Sequence, residues 1–209
     1  MVRGADRATS PRALRREATK AALLAAASTL AERGEDPLDP ALVASLAGVS
    51  RPLWYRYFPT RGDFVEAILA SMHAAPPRPA GDGHESAADV LAFFVTLARG
   101  LDANAALARV VIPVSHLPGP VSDARTQRRL AAIERVAQRL PADVPDRGRR
   151  AAFLMDAFLG MQLAWSKGQV AGRFADRVRQ DMPWAIRGAL AGSGPGATAK
   201  PLPRKRKET

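Results

Sequence analysis

Residues 39–64 read DPALVASLAGVSRPLWYRYFPTRGDF, and this stretch decides the fold. Asp39-Pro40 marks a helix start, an aspartate cap followed by a proline at the first helical position, where a missing N–H costs little. Leu42, Val43, Leu46 and Ala47 give that short helix one apolar face, and Gly48 ends it. Ala-Gly-Val then makes a tight turn, Ser50 caps a second short helix, and Pro52 falls in its first turn. Two short helices joined by a glycine-containing turn predict a helix-turn-helix, whose second helix fits a major groove roughly 12 Å wide.

Over RPLWYRYF, Trp54 and Phe58 at four-residue spacing are the natural core side, leaving Arg51, Leu53, Tyr55, Arg56 and Tyr57 for the other sides. Arginine can fork onto guanine O6 and N7, Leu53 can touch a thymine methyl, and tyrosine hydroxyls can bond phosphate oxygens. Thr60 can cap the next helix, whose positive N-terminal end, together with Arg61, would hold a further phosphate. The competing reading is a helical pair whose interleaved aromatics serve only as core.

Outward from this motif, apolar residues recur at three- and four-residue spacing and strand-like alternation is scarce, so the expected class is all-α. A first helix should run from Ser10-Pro11 to Gly34, and another from about Thr60 to His73. The Pro/Gly-rich AAPPRPAGDG at 74–83 is the best domain boundary. Beyond it, helices are expected near 85–103, 104–115, 122–140, 147–167 and 173–190, divided by Leu117-Pro118-Gly119-Pro120, by Pro141 to Pro145 and by Gly168 to Gly172. The organisation is thus a basic arm (1–10), a three-helix head carrying the helix-turn-helix (11–73), a linker (74–84), a second helical domain (85–190) and a low-complexity basic tail (191–209) expected to be disordered.

The chain has 209 residues, a net charge of +11 and no cysteine. The last excludes disulfides, thiolate-bound metals and a cysteine nucleophile. Residues 1–20 carry six basic residues against two acidic ones, and residues 191–209 five against one, so most of the excess sits at the two ends. A polyanionic partner such as DNA is one reading; tails that merely aid solubility, or that bind anionic membranes, are the others. No apolar run approaches the ~20 residues of a membrane span, and the basic N-terminus has no apolar stretch behind it, so a cytoplasmic protein without membrane partners is expected. His73, His84 and His116 form no close-spaced metal pair, there is no Gly-x-Ser-x-Gly elbow, and GSGPG near 192 lacks the strand a phosphate loop needs. Neither an enzyme nor a cofactor is expected.

The string VASLAGVSRPLWYRYFPTRGDFVEAIL resembles the DNA-binding domain of the tetracycline-repressor (TetR) family, whose pattern runs I-A-x-x-A-G-V-S-x-x-x-L-Y-x-[YH]-F-x-[SN]-K-x-x-L. The likeness covers about 60 residues, to about Met72. It implies a DNA-binding regulator, most often a repressor, that works as a homodimer on a palindromic operator and is released by a small-molecule effector. Ser50, Arg51, Pro52, Leu53, Tyr55 and Arg56 then fall at positions that meet base edges or adjacent backbone, with Tyr57 and Arg61 as phosphate clamps. The helix following Arg61 would swing as a lever, with Pro76-Pro77 beyond it. Trp54 and Arg61 stand where relatives carry leucine and lysine. Asp39-Pro40-Ala41 replaces a phosphate anchor, a role the arginine-rich arm could assume.

In the second domain, the helix 151–167 is apolar nearly all round. Phe153, Ala157, Gly160 and Ala164 form a small-residue stripe expected at a dimer interface, joined by Phe174 and Val178 of the last helix, which Pro183 should kink or divide. Asp156 is expected to be exposed or paired with an arginine across that interface. An effector pocket is expected among Phe94, Leu97, Val110, Val114, Phe158, Met161 and Trp165, with His116 and Gln162 as its few polar groups. Walls with little charge favour a lipophilic ligand.

Overall fold

The computed structural model describes residues 10–73, 86–116 and 123–191. The basic arm before Ser10, the break at 74–84, the Leu117 to Pro120 turn and the tail after Ala191 lie outside the described residues. Those described form helices throughout, without strands.

Helix α1 (Pro11–Glu32) starts as the sequence dictates: the Ser10 hydroxyl accepts from the Ala13 N–H at 3.2 Å, and Pro11 opens the helix. Only its C-terminal half is buried, through Leu23, Ala26, Ala27 and Leu30, the spacing of one helical face. Helix α2 (Pro40–Leu46) is capped by the Asp39 carboxylate, which accepts from the Ala41 N–H at 2.7 Å. Gly48 then turns the chain at φ +68°, a left-handed conformation that disfavours any side chain. Ser50 caps α3 (Arg51–Tyr57), and α4 (Arg61–Met72) begins in a capping box in which Thr60 and Asp63 bond each other's backbone N–H groups.

Helices α5 (Ala87–Ala103) and α6 (Ala105–Ser115) meet at Asn104 with a bend of 109°. Then follow α7 (Asp123–Ala137), α8 (Arg147–Ser166) and α9 (Phe174–Ala191). No single helix among the described residues is long and apolar enough to cross a membrane. Pro183 does not divide α9, which runs unbroken from Phe174 to Ala191. Neighbouring Met182 and Ile186 are buried in the core, and that burial outweighs the one backbone hydrogen bond a proline forfeits.

Helix α9 lies along α5, and Asp102 at the end of α5 holds its start. The Asp102 carboxylate accepts from the Phe174 N–H at 2.7 Å and the Ala175 N–H at 2.9 Å, satisfying the first free amides of α9 from a residue 72 positions away. The other close joint is between α4 and α5: a Cβ built on Gly100 would overlap the Met72 carbonyl oxygen, so only glycine lets α5 pass the end of α4. Gly100→Ala should therefore destabilise the protein by about 1–3 kcal/mol in urea unfolding. Gly148→Ala, on α8 with nothing within 4 Å, should be neutral or stabilising.

Candidate nucleic-acid interface and cavity

Helix α3 is held from one side only. Trp54 is fully buried, and its ring lies 5.7 Å from Phe58 and 5.2 Å from Phe64 of α4, while Phe58 and Phe64 are 4.8 Å apart. These aromatic pairs fix the rotation of a seven-residue helix that could not stand alone. The Trp54 indole N–H is buried without a hydrogen-bond partner, a cost the ring's apolar contacts outweigh.

With Trp54 and Phe58 turned inward as expected, Arg51, Pro52, Tyr55 and Arg56 are exposed, and Leu53 and Tyr57 are half-buried. Tyr55 leaves 42% of its surface open, a large fraction for an aromatic. The Arg51 guanidinium lies 5.8 Å from the Tyr55 ring centroid, so the two side chains share one side of α3. Ser50 bonds the Leu53 N–H at 3.4 Å, which makes it a cap. Arg61 sits at the start of α4 and pairs with Asp36 at 3.6 Å. Both partners are more than half exposed, so the pair is weak and leaves the guanidinium able to exchange partners.

A cavity of about 370 Å³ lies where α4, α5, α7 and α8 converge. Of the residues expected around an effector, Leu97, His116, Phe158 and Gln162 line it. Phe94, Val110, Val114, Met161 and Trp165 do not line it. Phe94 is sealed in the core, 5.5 Å from Phe93 and 5.2 Å from Phe158. The Trp165 ring stacks on Phe174 at 5.3 Å and meets the Arg109 guanidinium at 5.3 Å, and its N–H donates to the Gly172 carbonyl at 3.2 Å. Val110, Val114 and Met161 are half-buried against the core instead.

The expectation of walls with little charge is corrected. Arg125, Arg128, Arg129 and Arg135, all from α7, line the cavity, and no acidic residue among those described does. Their three- and four-residue spacing puts most of them on one side of the helix, a signal readable in RTQRRLAAIER that passes for a solvated face when α7 is taken alone. Arg128 reaches α4, pairing with the buried Glu66 carboxylate and donating to the Glu66 carbonyl at 3.1 Å. Burial lowers the Arg128 pKa from its ordinary value. Arg129 pairs with Asp156 of α8 at 2.7 Å within the chain, and Asp156 is more than half exposed, the first of the two alternatives expected for it.

Two buried polar atoms on the cavity wall lack partners, Gln162 Oε1 and His73 Nε2. Burial, and secondarily the charge of Arg128, lower the His73 pKa from 6.5 to about 4, so the ring is neutral at physiological pH. His116 Nδ1 lies 2.9 Å from the Ile112 carbonyl.

On the outer side of α8, Phe153 is 55% exposed, Gly160 is open, and Ala157 and Ala164 are half-buried. Trp184 of α9 is 72% exposed, its ring 4.4 Å from the Arg187 guanidinium. Phe174 and Val178 do not join this face: both are completely buried within the chain, because their side of α9 is the one laid against α5 and α8.

Among the described residues the chain is all-helical, with an N-terminal helix-turn-helix and a C-terminal helical part that borders a cavity. Among solved structures it is similar to a TetR transcriptional regulator from Rhodococcus sp. RHA1, with a TM-score of 0.65 and 21% sequence identity over 86% of this chain and 98% of that one. The fold is therefore that of the TetR regulators, as the sequence resemblance implies. No family model matches the sequence, and no curated protein does.

Stability should register the buried imidazole. Since the folded ring resists protonation until about pH 4 and the unfolded one accepts a proton near 6.5, the contribution is complete above 6.5. It is lost as pH falls between these values, by up to about 3 kcal/mol. Thermal melting from pH 7.5 to 4.5 should fall more steeply for the native chain than for His73→Gln.

Proposed function

We propose that this protein is a DNA-binding transcriptional regulator, a repressor that sits on a palindromic operator as a homodimer and leaves it when a small molecule with an apolar body fills the cavity. The observation that carries the reading is the one-sided burial of α3. Its aromatic side is clamped in the core, and Arg51, Tyr55 and Arg56 stand free to enter a major groove. Arg51 and Arg56 supply base-edge forks, Pro52 and Leu53 apolar contact, and Tyr57 and Arg61 phosphate contacts. Asp39 is spent on capping α2, so backbone anchoring on that side would fall to the basic residues before α1. A cytoplasmic location follows from the DNA partner.

Selection of bound fragments from the organism's own DNA, followed by gel-shift competition, tests the function. One palindromic site should be preferred over bulk DNA by about a thousandfold or more. Equal affinity for every sequence would overturn the reading in favour of a polycation that binds DNA through its tails. Arg51→Ala and Arg56→Ala should each weaken the specific complex by about 1–3 kcal/mol while leaving bulk-DNA binding much less affected.

The dimer is proposed to form through the exposed side of α8 and α9, with Phe153, Ala157, Gly160, Ala164 and Trp184 meeting their symmetry mates in a helical bundle. A chain of this size does not usually leave two large aromatics so open without a partner. Phe153→Glu with Trp184→Glu should convert a dimer to a monomer in analytical ultracentrifugation. Far-UV circular dichroism should be unchanged, because neither side chain belongs to the core.

A further inference from the structure

The cavity wall combines two chemistries. Leu69, Phe93, Leu97, Met155, Phe158 and Leu159 supply an apolar enclosure. Among the described residues that line it, the α7 arginines supply the formal charge, all of one sign. Arg128 and Arg129 are matched by Glu66 and Asp156, carboxylates that stand behind the lining rather than in it. Arg135 carries no ion pair among the described residues. A cationic row facing an apolar space is complementary to a molecule with one anionic end. One unpartnered polar atom fits the same ligand: His73 Nε2 is buried on the cavity wall, and an imidazole left unbonded there is costly until something enters to bond it, whereas the unpartnered Gln162 Oε1 only accepts and would be met by a proton donor rather than by the anionic group. A neutral imidazole can donate an N–H to an anion without placing another buried charge beside Arg128.

Resting on the reading of this cavity as the effector site, we propose that its ligand is an amphipathic organic acid, whose anionic group is received by the α7 arginines and competes with Glu66 for Arg128. The apolar body fills the space between α4, α5 and α8. The volume, near the lower end of the roughly 300–1000 Å³ usual for small-molecule sites, sets the ligand's size. The competition gives the acid a route to the DNA-binding head. Glu66 lies on α4, the same helix whose Phe64 packs against Trp54 of α3, so loosening the Arg128 pair changes what holds that helix.

Calorimetric titration of the full-length protein, without DNA, uses decanoate, decyl phosphate and 4-phenylbutyrate, with decanamide and 4-phenylbutanamide as their uncharged counterparts. The carboxylate and phosphate arms distinguish the two sources of an anionic head. At least one acid should bind about tenfold or more tightly than its uncharged counterpart, the difference expected from a charged over a neutral hydrogen-bonding head. Arg135→Gln, exposed and on the same row, should weaken the acids severalfold and leave the amides unchanged. Glu66→Gln should do the reverse for the acids, since the competing carboxylate is gone, and a melting-temperature shift on adding acid confirms that the variant is folded. Amides that bind as well as acids, absence of binding by every acid up to millimolar concentration, or Glu66→Gln weakening the acids would each overturn the proposal. Operator release is measured separately by gel shift. Acid binding without release would count against the regulator reading alone, and release by the amides with the acids inert would count against this proposal alone.

Discussion

A carboxylate buried in the middle of a helix must be answered by a cation, and that requirement ties this molecule together. Glu66 sits on α4 among Phe64, Val65, Ile68 and Leu69, and Arg128 reaches across from α7 to meet both its side chain and its carbonyl. Removing one member of such a pair typically costs about 3–5 kcal/mol, because the other is left charged and dry. The pair therefore sets the position of α4 against the C-terminal helices. Helix α4 in turn sets α3, through the contacts of Phe64 with Trp54 and Phe58. The orientation of the exposed α3 arginines is thus settled partly by a residue more than sixty positions further along the chain.

Much of the head was legible in the sequence because its determinants are local. Caps at Ser10, Asp39, Ser50 and Thr60, prolines at first helical positions and a glycine turn act over three or four residues, and each does in the structure what its type dictates. The four-residue spacing of Trp54 and Phe58 likewise suffices to say which side of α3 is buried. The fold class and the succession of helices in the second half followed from the same periodicity.

The cavity was much less legible, and the reason is physical. A hydrophobic stripe says that a side chain is buried, not whether it meets another side chain or an empty space. Phe94 and Phe158 carry the same signal, yet only Phe158 borders the cavity. Trp165 was misplaced for the same reason, its ring meeting a phenylalanine and a guanidinium from other helices instead of the cavity. The arginines of α7 give no local signal of their role, because their partners, Glu66 and Asp156, lie 62 and 27 positions away. Phe174 and Val178 were assigned to a partner's surface when their own chain buries them, since periodicity identifies an apolar face without saying which neighbour covers it.

The capping of α9 by Asp102 sets an order of events during synthesis. The apolar side of α5, with Val90, Phe94 and Leu101, lies in a helix packed against α9, which leaves the ribosome some seventy residues later. Until α9 emerges, the nascent chain carries an uncovered greasy strip. The helix-turn-helix head is already synthesised by then, so the N-terminal part of the fold can mature early, while the C-terminal helical part is completed only once α9 has been made.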